Sequence, residues 1–503
     1  MLGTLLALLA AAQDPGACPS TTASRTDSSA WNGWGVDLQN TRFQPVELDL
    51  PRLKLKWAFG FRGANAAIAQ PAIVGGRAYF GSVDGTVYAL DARTGCVYWT
   101  FKADGQVRAA ITVAAIQAGR FAVLFADMKA QLYAVDAHSA KLVWKTRLDE
   151  HPMARLTGAP KLWEARLYVP LSSHEEVPSA SPKYPCCTFR GAVVAVDVES
   201  GKVLWKTHTI SEEPKPTRKT SLGTQLYGPS GAAVWSSPTI DLKTRTVFAA
   251  TGNGYSEPSA PTTDSVLAFD MDSGKLKWHA QLTPDDNFIM GCAGSVKETC
   301  PEKPGPDFDI GASPILRGRT LIVGQKSGVV YALDADRQGK ILWQTRVGKG
   351  SALGGVHWGM AADEQAAYVP VSDVLTPTPG GLFALNLTDG KTLWHAPAIE
   401  PACKGTRGCT PAQAAPATAI RGAVFSGAMD GVLRAYSAAD GKVIWEFDTR
   451  RDFETVNGVP AKGGSLNATG PVVAEKMLFV NSGYGILGGM PGNVLLAFSI
   501  DGK

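Results

Sequence analysis

Short stretches of alternating apolar and polar residues recur along the chain, and one phrase frames each of them. An apolar strand runs into an acidic turn, usually with glycine, and a second strand follows that ends in tryptophan. The first copy is Gly85-Thr-Val-Tyr-Ala-Leu-Asp91, then Gly95 and Trp99. Further complete copies end at Trp144, Trp205, Trp278, Trp343, Trp394 and Trp445. The period of two predicts strands, and Asp with Gly predicts a tight hairpin in which glycine takes the positive φ. A tryptophan on the outer strand carries a ring large enough to pack on the neighbouring unit, so these seven are architecture. An eighth copy is split: Asn493–Ser499 supplies its first strand at one end of the chain and Leu53–Phe59, with Trp57, its last strand at the other. Pairing the two would close a ring without an open sheet edge. The pattern therefore predicts an all-β, eight-bladed β-propeller with tryptophan-docking repeats and a last blade closed by N- and C-terminal strands.

Composition narrows the picture. A chain of 503 residues is long for one core unless repeats share the burial, and 54 Gly with 45% apolar content describe a turn-rich globular protein. A net charge of +4 with no basic run gives no case for nucleic acid or a membrane surface. Met1–Ala12 is a short apolar run ending in alanines, read as an export signal, and no segment is long enough for a membrane span. We divide the chain into 1–12 as signal, 13–49 as an N-terminal extension and 50–503 as the propeller.

Eight cysteines suit an oxidising, periplasmic or secreted location. Six fall in close pairs: Cys186 with Cys187, Cys292 with Cys300, and Cys403 with Cys409; Cys18 and Cys96 are left to pair with each other. No C-x-x-C is present, so neither a zinc site nor an attached c-type haem is expected. The longest insertions, Ser172–Pro185, Ser211–Gly231 and Pro284–Asp309, fall in blades three to five, and long loops on a rigid scaffold predict a site on the face they share.

The repeat phrase, the split blade and Trp34-Gly-Val-Asp-Leu-Gln-Asn-Thr-Arg-Phe-Gln-Pro45 resemble the quinoprotein alcohol dehydrogenases that use pyrroloquinoline quinone (PQQ). Cys186–Gly191, Gly324–Tyr331 and Pro491–Phe498 resemble the branch that oxidises polyvinyl alcohol. The resemblance implies an enzyme with PQQ and Ca2+ as cofactors, a secondary and even polymeric alcohol as substrate, and electrons passed to a separate cytochrome c or other acceptor.

Residue by residue, Arg108 matches the arginine facing the cofactor, where a guanidinium suits the carboxylates of PQQ. Thr157 matches a hydrogen-bonding threonine, and Trp235 the indole on which the planar quinone stacks, at the start of an inner strand. Asn253 matches the amide ligand of calcium, and Glu175 or Glu176 the carboxylate ligand. Asp307 matches the catalytic aspartate, also a metal ligand, with Asp309 and Asp286 as alternatives. Lys326 matches the basic residue beside the quinone oxygens, both catalytic and cofactor-binding. His357 and Trp358 stand where relatives have Asn-Trp near the cofactor. The Cys186 and Cys187 pair is assigned to the same pocket, although it lies one blade later than the vicinal pair of methanol-oxidising relatives. The rival reading is a quinone-free binding or assembly scaffold, in which these residues would scatter over the ring.

Overall fold

The structure, a computed structural model, describes residues 16–18, 30–117, 119–295 and 297–503; Met1–Ala12, read as an export signal, lies outside them. The alternating stretches form eight radial sheets; six have four strands and two carry a fifth. In blade one the strands Ala72–Val74, Arg77–Phe80, Thr86–Asp91 and Val97–Lys102 pair antiparallel in chain order from the inner edge outwards, and the other blades follow this plan apart from the two added strands and the split eighth blade. Both faces of the middle strands are buried against the adjoining sheets. One apolar cluster fills the space between blades one and two, where Val87 and Ala89 meet Val123 and Val135, and others repeat this around the ring.

The eighth blade closes as the sequence predicts. Leu53–Gly60 pairs antiparallel with Val494–Ile500, from Leu53 opposite Ile500 to Gly60 opposite Val494. The tryptophans lock each blade to the next. Trp99 donates its indole N–H to Ala137 O (3.0 Å), Trp394 to Ala438 O (2.9 Å), Trp445 to Leu53 O (3.3 Å) and Trp57 to Ala92 O (3.2 Å), the last two across the closure. The turn glycines have a second role that the sequence pattern did not reveal. A Cβ on Gly390 would lie 2.5 Å from the Trp343 ring, and its φ is +70°, so conformation and contact both exclude a side chain there.

The extension does more than precede the propeller. From Trp31 to Gln44 it bonds in turn to the inner strands of successive blades: Trp31 N to Ile73 O, Ile240 N to Leu38 O, Leu316 N to Gln39 O and Ala362 N to Thr41 O. Phe43–Gln44 then adds a parallel fifth strand to blade seven. Arg42 anchors this plug. Its guanidinium is buried, stacks near Trp31 and Trp34, and gives all its N–H groups to Trp34 O, Gln70 Oε1, Ala417 O, Thr418 Oγ1 and Pro471 O.

All four cysteine pairs form disulfides: Cys18 with Cys96, Cys186 with Cys187, Cys292 with Cys300, and Cys403 with Cys409. Among the described residues no helix is long and apolar enough to cross a membrane.

Candidate active site

The three long insertions meet on one face and lace together. Met290 N donates to Glu176 O, Thr299 Oγ1 to Ser179 O, and Arg218 to the carbonyls of Glu298 and Cys300. The Cys292 to Cys300 disulfide staples the third of them, as expected. At the axial end of this lacework the residues singled out in the sequence come together.

Trp235 sits in the loop before blade four, not in the strand itself, which begins only at Thr239. Pro238 and the backbone bonds of this loop explain the delay: Val234 N binds Leu171 O, and Gly252 N binds Ala233 O. The loop is thereby wedged between blades three and four beside Asn253. Trp235 meets Trp358 edge-on at 5.3 Å, and Trp358 stacks on His357 at 4.5 Å. Gly311 makes room for the Trp235 ring, since a Cβ there would lie 2.0 Å from Cη2. The Arg108 guanidinium lies 5.1 Å over Trp358, and the Lys326 ammonium 5.7 Å over Trp235.

Arg108, Thr157, Trp235 and Trp358 line one axial cavity of about 30 Å³ together with Ser236, Ser237 and Thr469. The hydroxyls of Thr157, Ser236, Ser237 and Thr469 are buried there with no hydrogen-bond partner among the described residues. Unpaired buried hydroxyls are uncommon in a finished core and suit a wall that meets water or ligand. Thr157 does not spend its hydroxyl on a turn.

Beside the tryptophans lies a cluster of acids around one lysine. Lys326 Nζ donates to Asp307 Oδ1 (2.9 Å) and Asp309 Oδ2 (2.7 Å). Burial pulls the ammonium down, but Asp309 and Asp307 more than offset it and hold it charged. The three candidate aspartates separate by their partners. Asp286 accepts from Asp307 N and Phe308 N and so braces the loop backbone. Asp309 accepts from Asn253 N at 2.7 Å. Among the described residues the Asp307 carboxylate has only Lys326 as a hydrogen-bond partner; it sits on a left-handed backbone (φ 62°) and is pushed well above the ordinary carboxylate range by burial, against the pull of Lys326.

The two glutamates separate as clearly. Glu175, 1% exposed, accepts from Thr188 N and Phe189 N and thus holds the loop that carries Cys186 and Cys187. Glu176 turns toward the cluster: burial and then Asp309 raise its carboxyl to about 7, with Lys326 opposing. Asn253 donates its side-chain N–H to Phe288 O and Gly254 O, which leaves its Oδ1 for another partner. Asp264 is wholly buried, neither carboxylate oxygen has a hydrogen bond among the described residues, and burial raises it well above its ordinary value. Acids here outnumber the single ammonium. No three of these acids, His or Cys among the described residues are gathered closely enough to hold a metal on their own, because Asp307 and Asp309 are turned onto Lys326.

His357 is buried, and burial, Lys326 and Arg108 lower it to about 3, so the imidazole is neutral. Cys186 and Cys187 do not line the cavity of Arg108 and Trp235. They are buried in the apolar cluster against which Trp235 packs, and Cys186 lines a neighbouring cavity with Tyr227 and Tyr255. Arg155 went unnoticed in the sequence. The short strand Ala154–Arg155 pairs with Ser172–Ser173 and sets Arg155 near His174, which burial, Arg155 and Arg108 hold below its ordinary value. Only the pairing of two strands within blade three brings it there.

Comparison with known proteins gives the family of the chain. The family model described as outer membrane protein assembly factor BamB matches residues 32–278 and 378–502. A polyvinylalcohol dehydrogenase of Pseudomonas sp is 46% identical over 497 residues, covering 94% of this chain and 77% of that protein. One from Sphingopyxis sp. (strain 113P3) is 40% identical over 506 residues, covering 95% and 77%. Among solved structures, a quinohemoprotein alcohol dehydrogenase of Pseudomonas putida superposes with a TM-score of 0.73 at 16% identity, covering 96% of this chain and 83% of that one. An eight-bladed ring closed by both ends of the chain and two relatives above 40% or at 40% identity lead to one assignment: this chain is an enzyme of the quinoprotein alcohol dehydrogenase family, similar to its polyvinylalcohol dehydrogenases.

Proposed function

We propose that the chain oxidises secondary alcohols, polymeric ones included, to ketones, with PQQ and calcium held at the axial cluster. The observation that carries this reading is the convergence of Arg108, Thr157, Trp235, Glu176, Asn253, Asp307 and Lys326 on one end of the axis. A scaffold without a cofactor has no use for that gathering. Donor chemistry supports the fit more than enclosed volume does: Trp235 offers a flat apolar floor, the Arg108 guanidinium suits carboxylates, and the free Thr157 hydroxyl adds a hydrogen bond. Glu176, Asn253 and Asp307 supply the oxygens a hard divalent cation takes, in a site with surplus acid.

When bound, PQQ supplies a two-electron acceptor and calcium a Lewis acid. Asp307 is the base: its carboxylate, raised by burial, takes the hydroxyl proton of the alcohol. Asp286 holds the Asp307 backbone in place, and Lys326 orients its carboxylate from one side. Neutral His357 packs behind Trp358 without competing as a cation. Cys186 and Cys187 act on the site through Glu175 and the Trp235 packing. Electrons pass on to a separate cytochrome-type acceptor. Four disulfides support a periplasmic or secreted location, with Met1–Ala12 removed as the signal.

Reconstituting the purified chain with PQQ and calcium tests the proposal. Quinone absorbance and dye reduction with 2-propanol and polyvinyl alcohol are expected. Absence of both, across secondary alcohols, would sink the enzyme reading of this site.

A further inference from the structure

We propose that an open groove on blade six binds the chain of a polymeric polyol on the flank of the reacting alcohol, which deepens the function proposed above and rests on it. The groove has a volume of about 630 Å³ and is formed by the loops that leave Lys340–Arg346, Ala366–Pro370 and Thr392–Ala396. These loops emerge at the same end of the sheets as the Gln325-Lys326-Ser327 turn, so the groove opens on the face of the active site.

Its floor is Phe383 stacked on His395 at 4.0 Å and 14°. Pro377 and Pro379 form one wall, and Pro397 with the exposed Ile399 the other. The second wall leads into the segment that the Cys403 to Cys409 disulfide closes, a motif that no feature of the active site uses. A staple just beyond the wall limits the freedom it has to lose when a ligand settles against it.

The groove is mechanically continuous with the active site. Ser351 N and Gly355 N bond to Lys326 O, and Ser372 N bonds to Gly355 O. The loop from Ser372 to Gly380 first packs Val374 against the cluster of Trp235 and Trp358, then exposes Leu375 and lines the groove from Pro377 onward. A chain with one unit at Asp307 therefore has a built path over this loop.

The lining selects the kind of chain. Proline and phenylalanine faces take methylene groups, while Thr378 and His395 stand between them as partners for hydroxyls. Arg346 and Lys349 balance Asp373 and Glu400 in the lining, so the groove has no net preference for a polyanion or a polycation. A neutral chain that alternates apolar and hydroxyl-bearing carbons matches this pattern.

The test compares oligomers of polyvinyl alcohol with 2-propanol, using wild type and the exposed-site variants Ile399→Asp and Thr378→Asp. Calorimetric titration should show oligomer binding to wild type, weakened about tenfold or more in the variants. With the reconstituted enzyme, kcat/KM for oligomers should fall by a similar factor through KM, while 2-propanol oxidation stays unchanged. No oligomer binding to wild type, or unchanged binding in both variants, overturns the groove. Equal loss with 2-propanol and oligomer also overturns it, because the variants would then act on the active site itself. If wild type oxidises neither alcohol, the dehydrogenase reading falls and the titration alone decides the groove.

Discussion

Two buried cations on the propeller show what separates architecture from function. Arg42, in the plug, meets only neutral acceptors, and every one of its N–H groups is used. Burial alone lowers it, to about 9, so it stays charged at neutral pH and ties five points of the chain together. Lys326, in the site, is held by Asp307 and Asp309 in surroundings where acid exceeds base and several hydroxyls lack partners. A saturated network has nothing left to offer a ligand, whereas an unsaturated one is more stable with a ligand in it.

That contrast can be broken by substitution. The largest effect is expected at Asp307→Asn, which should lower kcat by about 10²–10⁴-fold with PQQ absorbance on binding retained. Loss of PQQ binding instead would move the base elsewhere. Arg42→Met should leave turnover per folded molecule unchanged and cost about 3 kcal/mol of stability in a denaturant titration, because Ala417 O loses its donor while Trp34 O and Pro471 O keep only those of Gln70 and Thr418. Turnover lost at unchanged stability would erase the distinction.

The glutamates sharpen the comparison within the site. Glu176→Gln should weaken calcium binding at least about tenfold, while Glu175→Gln should leave calcium affinity alone and loosen the loop of Cys186 and Cys187 to proteolysis. A reversed result would exchange their roles. Among glycines, Gly311→Ala should tilt Trp235 and change its fluorescence and PQQ affinity. Gly390→Ala should cost about 1 kcal/mol or more at the Trp343 dock without touching PQQ.

The smallest expected effect is a pH trend in the plug region. Burial lowers Lys161, which donates to Asp37 O, to about 8. Between about 8 and its ordinary value near 10.5 the unfolded chain binds more protons at this residue than the folded one. Its contribution to stability therefore rises with pH across that window and is lowest below it. Subtracting the stability profile of Lys161→Met from that of wild type should reveal the rise; a flat difference would mean that the amine is not held in its neutral-prone setting.

The number of blades, the closing strands, the docking tryptophans and the disulfide partners were legible in the chain itself. Most depend on local rules, a period of two, a turn residue or a short cysteine spacing; the closing strands follow from a phrase split between the chain ends, and Cys18 and Cys96, with a sequence separation of 78, pair as the remainder. Candidate residues were legible as a set through resemblance, but their division of labour was not. Glu175 and Glu176 are neighbours in sequence, and only folding gives one the backbone N–H groups of Thr188 and Phe189 and leaves the carboxyl of the other raised by burial. Asp286, Asp307 and Asp309 share one insertion, yet one braces backbone, one meets Asn253 and one keeps its carboxylate free of all but Lys326. Trp235 was expected in a strand and lies in the loop before it.

The sequence by itself determined a closed ring of eight sheets, because each blade repeats the same short-range instructions. Tertiary structure alone decided that Arg42 seals one region of the ring, that the acids gather around Lys326, and that the groove on blade six opens on the same face. The physical reason is distance along the chain: burial and Coulomb partners at the axis come from loops of different blades, and only the closed ring sets them side by side.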